Sequence, residues 1–408
     1  LKGISMDSNL GYYDIVIVGG GIIGLSTAMA MQARFPGRSL AVLEKEPGVA
    51  LHQTGRNSGV IHSGIYYRPG SHKATLCVEG ARLLYAFCRD HGVPCERCGK
   101  LIVATTGGEL PRLEALYERG RANGIPGLEM IPPGRVREIE PHAHAVGALY
   151  SPETGITDYR LVAEAMAADI TKAGGRILLS CAVAGIDRDG AGHRIETRRG
   201  AVRCRFLVNC AGLQADRVAA MTGADTDVLL LPFRGEYFTL KKGCRLVRNL
   251  IYPVPDPRFP FLGVHFTRKI NGEYEAGPNA VLAFAREGYR VRDVCWQDLA
   301  AMARHPAFWK MAWRYWNVQA YELYRSLSRR AFLAALKKLV PELEDRDIDR
   351  GGSGVRAQVV TSDGRLADDF IIAKSPCALN VLNAPSPAAT ASIAIGRHIA
   401  DLAERHVC

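Results

Sequence analysis

Glycines at positions 19, 21 and 24 form a G-x-G-x-x-G pattern, whose spacing suits the binding of a nucleotide pyrophosphate. Gly19 allows a sharp turn, Gly21 lets the backbone approach phosphates without a Cβ, and Gly24 lets a helix pack closely on a strand. Ile23 lies inside the pattern and is included in the predicted cofactor site. Anions bind at such a position because a helix N-terminus presents unpaired N–H groups and the positive end of its dipole.

The elements that must position these glycines are a strand predicted over residues 13–18 and a helix predicted over residues 25–34. A second predicted strand, residues 39–43, ends in Glu44, about twenty residues after the last glycine, where a carboxylate can accept hydrogen bonds from a ribose diol. The next residue, Lys45, is also included in the predicted cofactor site. An acidic residue here disfavours a 2′-phosphate, so FAD or NAD fits better than NADP. The glycines alone could form an ordinary turn, but the whole arrangement predicts dinucleotide binding.

The loop over residues 53–67 concentrates hydrogen-bonding side chains and glycines, and it includes His62 and Tyr66. Taken alone, it is typical of a turn-rich connection with a structural histidine. Next to a dinucleotide-binding unit, it becomes a candidate for cofactor or substrate contact. Its predicted cofactor-binding residues are Thr54, Asn57, Ser58 and Gly59.

The composition is that of a soluble globular protein, with 408 residues, 48% hydrophobic and 23% charged. This length allows about two or three domains with a well-buried core. The net charge of +11 suits anionic substrates, anionic cofactors or a lipid surface. No nucleic-acid-binding motif accompanies the charge, so nucleic acid is not a predicted partner.

Eleven cysteines, with no secretory signal, indicate reduced thiols in a reducing compartment. Cys95 and Cys98 form one C-x-x-C pair without a second pair or a histidine at metal spacing, so no metal site is predicted. No run of eighteen apolar residues predicts a transmembrane helix. The expected location is the cytoplasm, where the protein could also bind peripherally to the inner face of a membrane. If a transit peptide has been removed, the expected location is the mitochondrion.

Hydrophobic periodicity predicts the remaining elements. Helices are expected over residues 72–91, 110–123 and 159–173, further helices over 296–340, and a final helix opened by the small residues 383–392. Strands are expected over residues 100–105, 176–180, 182–187, 193–197 and 205–210.

Basic and aromatic residues alternate in the stretch 304–341. Trp309, Trp313 and Trp316 have helical spacing, and the basic residues of the stretch are Arg304, Lys310, Arg314, Arg325, Arg329, Arg330, Lys337 and Lys338. Core packing with a solvated basic face is the plainer interpretation. The alternative is peripheral docking on anionic lipid, which would bring the protein near a membrane electron acceptor.

Six separated motifs give the chain a close resemblance to a known family. They are HQTGRNSGVIHSGIYY from His52, PFRGEY from Pro232, VPDPRFPFLGVHFT from Val254, GPNAV from Gly277, GVRAQ from Gly354 and NAPSPAATASIAIG from Asn383. From residue 12 onward, the chain resembles the L-2-hydroxyglutarate dehydrogenase (or oxidase) family, within the D-amino-acid oxidase-like FAD-dependent oxidoreductases.

The resemblance implies an α/β (α+β) fold, in which a Rossmann-like FAD-binding domain is interleaved with a substrate domain made of a mixed sheet and helices. The expected FAD-binding domain comprises residues 1–75, 147–225 and 345–408, and the substrate-binding domain residues 76–146 and 226–344. FAD is expected to be bound non-covalently. The further residues predicted to contact it are Val183, Ala211, Gly212, Gly354, Ser386, Pro387, Ala388 and Ala389. The dipole of the helix after Pro387 could stabilise the reduced flavin.

The implied reaction is oxidation of L-2-hydroxyglutarate to 2-oxoglutarate, with hydride transfer from the substrate Cα to flavin N5 and a histidine as base. His62 is preferred and His265 is the alternative. A dicarboxylate also needs cations, for which Arg356 is the first candidate and Arg234 the second. Tyr66 could donate a hydrogen bond. Relatives usually read G-x-R-P-x-T-P-D-G here, and this chain keeps Arg356 but lacks the prolines.

Two other functions remain open at this stage. The same scaffold could oxidise another small anionic hydroxy or amino acid or glycerol 3-phosphate. Alternatively, the chain could be a non-enzymatic, dinucleotide-binding redox sensor. If it is an enzyme, its electron acceptor could be a quinone, oxygen or an electron-carrier protein.

Overall fold

Strands and helices succeed each other along the chain, and the α/β (α+β) class predicted from the sequence is confirmed. The computed structural model describes residues 9–257 and 262–407. Residues 1–8 of the expected FAD-binding domain and residues 258–261 of the VPDPRFPFLGVHFT motif therefore lie outside the described residues.

The strands are, in chain order, β1 (Asn9–Val18), β2 (Leu40–Leu43), β3 (Val60–Ile61), β4 (Cys95–Glu96), β5 (Lys100–Ala104), β6 (Glu129–Ile131), β7 (Gly147–Ser151), β8 (Gly155–Thr157), β9 (Arg176–Leu178), β10 (Val183–Asp189), β11 (Gly192–Thr197), β12 (Gly200–Asn209), β13 (Val228–Leu240), β14 (Leu250–Pro253), β15 (His265–Arg268), β16 (Tyr274–Gly277), β17 (Val281–Leu282), β18 (Ile348–Thr361), β19 (Ile371–Ser375) and β20 (Ala378–Asn383).

The helices are α1 (Ile22–Arg34), α2 (His72–Asp90), α3 (Leu110–Ala122), α4 (Pro133–Ile139), α5 (Tyr159–Lys172), α6 (Ala215–Met221), α7 (Trp296–Arg304), α8 (Pro306–Arg314), α9 (Trp316–Leu327), α10 (Arg329–Leu336) and α11 (Ala388–Val407). Each helix and strand expected from periodicity is confirmed, with ends that differ by a few residues, as is usual for helix and strand termini.

The chain divides into two compact units, each assembled from separate segments. The first unit contains residues 1–55, 159–231 and 357–408, and the second contains residues 56–158 and 232–356. This division places residues 56–75, 147–158 and 345–356 in the second unit, whereas the sequence-based proposal kept them with the FAD-binding segments. The assignment of FAD and substrate to particular segments remains a proposal.

The first unit contains an eight-stranded sheet with the path β10-β11-β12-β1-β2-β9, to which β20 adds beside β12 and β19 beside β20. β1 runs parallel to both β12 and β2, with Val18 opposite Asn209 and Leu43. Parallel strands bring their carboxyl ends to one edge of a sheet, where ligands of open α/β sheets bind. The segments that begin at Gly19, Glu44 and Cys210 therefore share that edge.

The second unit contains a nine-stranded sheet with the path β17-β13-β16-β15-β14-β5-β7-β6 and with β18 beside β13, as well as a three-stranded sheet, β3-β8-β4. β5 is central, and Lys100 lies opposite Leu250 of β14 and Ser151 of β7. Because side chains alternate along a strand, this register puts Lys100, Tyr252 and His265 on the same face of the large sheet. We call it the polar face.

The opposite face of the same sheet is largely apolar. It packs on α10 and the following turn in a core that includes Leu101, Ile251, Phe266, Phe332 and Leu336. The polar face is itself covered by apolar residues of α3 and of the loop after β3, among them Leu113, Leu116 and Ile65. Its polar residues are therefore enclosed rather than solvated.

The stretch 296–340 is helical as predicted, but the expectation of core packing is wrong for its tryptophans. Trp309, Trp313 and Trp316 are 60%, 83% and 65% exposed. The helix breaks at Tyr315, so the aromatic residues are divided between α8 and α9 instead of forming a stripe on one helix. The residues that α8 buries are Ala307 and Met311.

Two predicted members of the basic surface are also placed differently. Arg325 is 7% exposed and pairs with Glu322 one turn earlier on α9, because a buried guanidinium requires a carboxylate partner. Arg329 bonds Asp345 and the carbonyl of Ile348. Arg304, Lys310, Arg314, Arg330, Lys337 and Lys338 are exposed, as expected.

Candidate active site

The glycine pattern forms a tight turn between β1 and α1. Gly19 has a φ of +111°, and a Cβ added there would lie 2.4 Å from the carbonyl oxygen of Cys210. A Cβ added to Gly24 would lie 1.9 Å from the carbonyl oxygen of Gly19. Neither approach is sterically allowed for a larger residue, so these two glycines are required by the turn itself.

The N-terminus of α1 is open to an anion. Gly21 is the N-cap and has no side chain that could occupy the helix N-terminus, and the first turn has no acidic residue. A Cβ added to Gly21 would meet Thr54 Oγ1 at 3.4 Å and no other atom within 4 Å among the described residues. Thr54 Oγ1 accepts a hydrogen bond from the Ile22 N–H. This open edge, with Ile23 in the first turn, fits the diphosphate of a dinucleotide.

Glu44 holds the glycine turn in place. Its side chain is 7% exposed; Oε2 accepts a 2.7 Å hydrogen bond from the Gly20 N–H, and Oε1 accepts one from the Glu46 N–H. Each carboxylate oxygen has a second lone pair, so a ribose hydroxyl could still be bound. The neighbouring Lys45 bonds Glu46 and His52. Contact of Glu44 and Lys45 with a cofactor stays a prediction.

The other predicted cofactor residues of the first unit lie on three elements. Ala211 and Gly212 follow β12, and a Cβ added to Gly212 would lie 2.9 Å from Gln53 Nε2. Val183 begins β10. Ser386 and Pro387 directly precede α11, whose first residues are Ala388 and Ala389. α11 packs closely on α1, since a Cβ on Gly396 would lie 2.5 Å from the Ser26 carbonyl oxygen.

Four predicted cofactor residues belong to the second unit, where each has a local structural explanation. Asn57 Oδ1 accepts a hydrogen bond from the Gly59 N–H, and Ser58 lies between them. Gly59 has a φ of +72°, and a Cβ there would lie 2.5 Å from the Thr157 carbonyl oxygen. A Cβ on Gly354 would lie 2.3 Å from the Arg56 carbonyl oxygen. Contact of these residues with a cofactor stays a prediction.

The histidine-bearing loop is rigidly held within the second unit. β3 pairs with β8, placing Val60 opposite Ile156. Ser63 shares hydrogen bonds with Ser151 and Thr154, and Ile65 is 1% exposed in the apolar core. The carbonyls of residues 64, 66 and 67 accept hydrogen bonds from Arg119 and Asn123, at the end of α3. His62 is therefore fixed by the contacts of both its neighbours.

The structure brings His62 and His265 into one electrostatic cluster. Burial, together with the positive charges of Lys100 and Arg356, lowers the pKa of each imidazole to about 3. His265 stacks on Tyr252, with ring centroids 3.8 Å apart, and its Nδ1 lies 2.9 Å from the Gly263 carbonyl oxygen. That oxygen can only accept, so Nδ1 carries the proton and Nε2 keeps a lone pair. Both imidazoles are neutral at physiological pH.

Tyr66 and Arg356 join this cluster. The Tyr66 hydroxyl is buried and has no hydrogen-bond partner among the described residues, and burial raises its pKa well above the usual value. Arg356 is exposed and hydrogen-bonds the Tyr237 hydroxyl, whose pKa is raised by burial. A buried hydroxyl beside neutral imidazoles and a guanidinium is suited to binding an anion and accepting its hydroxyl proton.

Arg234 has a different environment from the other predicted catalytic residues. Its guanidinium is 3% exposed and bonds Glu236 at 3.0 Å and 3.1 Å, with a third bond to the Arg290 carbonyl. Glu236 is held in turn by Asn279 and Ser326. Arg234 therefore has a structural role as the ion-pair partner of Glu236. A role of Arg234 in substrate binding stays a prediction.

Lys100 was missed from the sequence. It is 2% exposed, and its Nζ lies 4.6 Å from the ring centroid of Tyr66 and 5.1 Å from that of Tyr252. The available signal was a lysine that opens an apolar strand, Lys100–Ala104, every residue of which is buried. Tyr252, which contacts both Lys100 and His265, was also missed from the sequence, and it too lies in a short apolar strand, β14.

Comparison with known proteins places this chain in a family. A family model described as FAD dependent oxidoreductase matches residues 14–402. The L-2-hydroxyglutarate dehydrogenase of Indibacter alkaliphilus is 48% identical, covering 96% of this chain and 98% of that protein. The mitochondrial L-2-hydroxyglutarate dehydrogenase of Homo sapiens is 46% identical, covering 98% of this chain and 90% of that protein.

Among solved structures, the FAD-bound, dithionite-reduced L-alpha-glycerophosphate oxidase of Mycoplasma pneumoniae has a TM-score of 0.79, at 23% identity, over 96% of this chain and 94% of that one. This likeness concerns the fold. The chain belongs to the FAD-dependent oxidoreductase family, in the branch that includes these L-2-hydroxyglutarate dehydrogenases.

Proposed function

We propose that this protein oxidises L-2-hydroxyglutarate to 2-oxoglutarate with non-covalently bound FAD. The observation that carries the proposal is the pair of neutral imidazoles, His62 and His265, in one cluster with the Arg356 guanidinium and with a Tyr66 hydroxyl that has no hydrogen-bond partner among the described residues. Such a group can bind an anionic 2-hydroxy acid and accept its hydroxyl proton. The names of the relatives, at 46% and 48% identity, support the choice of substrate.

The first unit has the residues that would hold FAD. The open side of Gly21 and the uncapped first turn of α1 would receive the diphosphate, and Glu44 would receive the ribose diol. The start of α11, at Ala388, would face the flavin ring with the positive end of its dipole. When bound, FAD supplies the hydride acceptor.

The polar residues of the second unit would carry the proton chemistry. Arg356 would bind a substrate carboxylate through its planar guanidinium, and the Tyr66 hydroxyl would donate a hydrogen bond to the substrate. A neutral imidazole, His62 or His265, would accept the hydroxyl proton as the Cα–H bond breaks. Burial excludes water, which keeps the imidazoles neutral and strengthens their interactions with the substrate.

Anaerobic addition of substrate to the purified flavoprotein tests the assignment. We expect L-2-hydroxyglutarate to bleach the flavin absorbance within seconds, and D-2-hydroxyglutarate, glycerol 3-phosphate and glycine to leave it largely unchanged. Bleaching by the D isomer would contradict the assigned stereochemistry. Bleaching only by glycerol 3-phosphate or an amino acid would assign a different substrate to the scaffold, and no bleaching by any of them would support a redox sensor.

The electron acceptor is best sought at a membrane surface. No helix in the described part of the chain is long and apolar enough to span a bilayer. We propose instead that α8 and α9 dock peripherally on anionic lipid, through exposed Trp309, Trp313 and Trp316 together with Lys310 and Arg314. Tryptophan favours the bilayer interface, and lysine or arginine near an anionic surface contributes about 1 kcal/mol each. Docking would give the protein access to a quinone in the membrane as its electron acceptor. Electron transfer to oxygen or to a carrier protein would not require docking.

Vesicle flotation tests the docking proposal. Wild-type protein is expected to float with vesicles that contain phosphatidylglycerol and less with pure phosphatidylcholine. Lys310→Glu with Arg314→Glu, and separately Trp313→Ala, should reduce flotation several-fold, whereas Arg82→Glu with Arg121→Glu, at exposed positions of α2 and α3, is the control of matched charge. Arg329 is left unchanged because it bonds Asp345. Equal flotation of all variants would contradict docking through this surface.

A further inference from the structure

Lys100 is the most deeply enclosed cation of the second unit's polar face. It is 2% exposed, in the centre of the nine-stranded sheet, and its Nζ lies over the rings of Tyr66 and Tyr252. Aromatic faces stabilise an ammonium group less than a carboxylate partner does. A lysine in such a position normally has a carboxylate partner, because a buried charge is costly unless it is paired.

Among the described residues, no carboxylate pairs with Lys100. The groups that interact with it are His62 from the loop after β3, Cys77 from α2, the rings of Tyr66 and Tyr252, and His265 from β15, and Arg356 from β18 acts on the same two imidazoles. Burial raises the pKa of Cys77 to about 12, so its thiol is neutral, and both imidazoles are neutral as well. Glu275, a carboxylate on the polar face, pairs with Lys269 instead.

We propose that Lys100 binds one carboxylate of a dicarboxylate substrate and thereby selects dicarboxylates over monocarboxylates. This inference rests on the proposed function and identifies the second cation that a dianion requires. Arg356 supplies one positive charge, and Lys100 in its ammonium form supplies the other. Arg234, the earlier candidate, is already neutralised by Glu236.

The environment of Lys100 makes binding depend on pH. Burial lowers its pKa to about 7, so the amine is partly neutral in the protein without substrate. A bound carboxylate favours the ammonium form and raises that pKa, so binding above pH 7 takes up a proton. Affinity for a dicarboxylate is therefore constant below pH 7 and decreases as the pH rises above 7. His62, His265 and Cys77 do not titrate in this range.

The first test measures substrate preference. The ratio of kcat/KM for L-2-hydroxyglutarate to that for L-2-hydroxypentanoate, which lacks the second carboxylate, should fall about 100-fold in Lys100→Met, because one partner of a buried charge pair is removed. Lys242→Met, at an exposed lysine, should leave the ratio unchanged. A wild-type preference for hydroxyglutarate that persists in Lys100→Met would overturn this inference alone. A wild type that oxidises only hydroxypentanoate would overturn the proposed function as well.

The second test measures the dissociation constant of 2-oxoglutarate from the flavin spectrum between pH 6 and 9. For the wild type it should rise by about tenfold per pH unit above 7. Lys100→Arg should bind with little pH dependence, since a guanidinium stays protonated, and Lys100→Met should bind weakly at every pH. Flavin content of each variant checks its folding. A wild-type slope retained in Lys100→Met would assign the titration to another group and overturn the inference.

Discussion

The glycine turn of the first unit and the polar face of the second unit are built in opposite ways. In the turn, the key groups lie close together in sequence and are paired with one another, as Glu44 is with the N–H groups of residues 20 and 46. On the polar face, His62, Lys100, Tyr252 and His265 come from different strands and loops, and the Tyr66 hydroxyl has no partner among the described residues. The first region holds its own shape through these hydrogen bonds and leaves the N-terminus of α1 open, whereas the second contains a buried hydroxyl and a buried ammonium group that a ligand would complete.

The difference implies separable functions, because damage to the turn should affect cofactor affinity and damage to the polar face should affect catalysis. Buried polar groups without partners reduce stability, and proteins tolerate them chiefly where a ligand completes the hydrogen bonding. Substitutions in each region test whether the two functions are separable.

The largest effect is expected from the two histidines. Replacing the catalytic base should lower the rate of flavin reduction by 10²- to 10⁴-fold at saturating substrate, with FAD retained. His62→Gln and His265→Gln should therefore differ, and stopped-flow reduction identifies the base as the histidine with the larger loss. His265 already donates from Nδ1 to Gly263, so its glutamine variant should also loosen the Tyr252 stack. If both variants reduce flavin within twofold of the wild type, the proton acceptor lies elsewhere.

A smaller effect, on cofactor affinity, is expected at the glycine turn. In Gly24→Ala, the added Cβ would lie 1.9 Å from the Gly19 carbonyl oxygen, so α1 must shift away from β1. A misfit of this kind costs about 1–3 kcal/mol, which corresponds to roughly 10- to 100-fold weaker FAD binding if the turn bears the cost. Fluorescence titration of the apoprotein with FAD measures it. Gly134→Ala on α4, where an added Cβ meets open space, is the control and should bind FAD normally.

How much of each region could be predicted follows from how it is built. The glycine turn was predictable because its pattern, its strand and its helix are contiguous, and the spacing from Gly24 to Glu44 follows from one β-α-β unit. His62 was indicated by its polar loop next to the dinucleotide-binding unit, whereas His265 and Arg356 were found only through the motifs of a known family. The pairing order β15-β14-β5, which places Lys100 beside Tyr252 and His265, joins residues about 150 positions apart and leaves no local periodicity.

The tryptophans of α8 and α9 illustrate the same limit. Their spacing fitted one amphipathic helix packed on a core, since apolar residues at helical spacing usually mark a buried face. The break at Tyr315 and the burial of Ala307 and Met311 instead turn the tryptophans outward. Sequence periodicity identifies which residues share a helical face, but the tertiary contacts decide whether that face is buried.

The smallest effect, in Glu44→Gln, distinguishes two roles that the glycine turn could have in cofactor binding. Glutamine removes the charge and one acceptor oxygen, so one of the two backbone N–H groups at Gly20 and Glu46 loses its partner, at a cost of about 1–2 kcal/mol and about tenfold in FAD affinity. That loss alone does not show a ribose contact. An FAD analogue without the adenosine 2′-hydroxyl resolves the two roles. If Glu44 binds the ribose, the wild type should discriminate against the analogue by several-fold and Glu44→Gln should not. Equal discrimination by both proteins would mean that Glu44 serves the turn alone, and that the first unit selects its dinucleotide through the shape of the turn and the open N-terminus of α1.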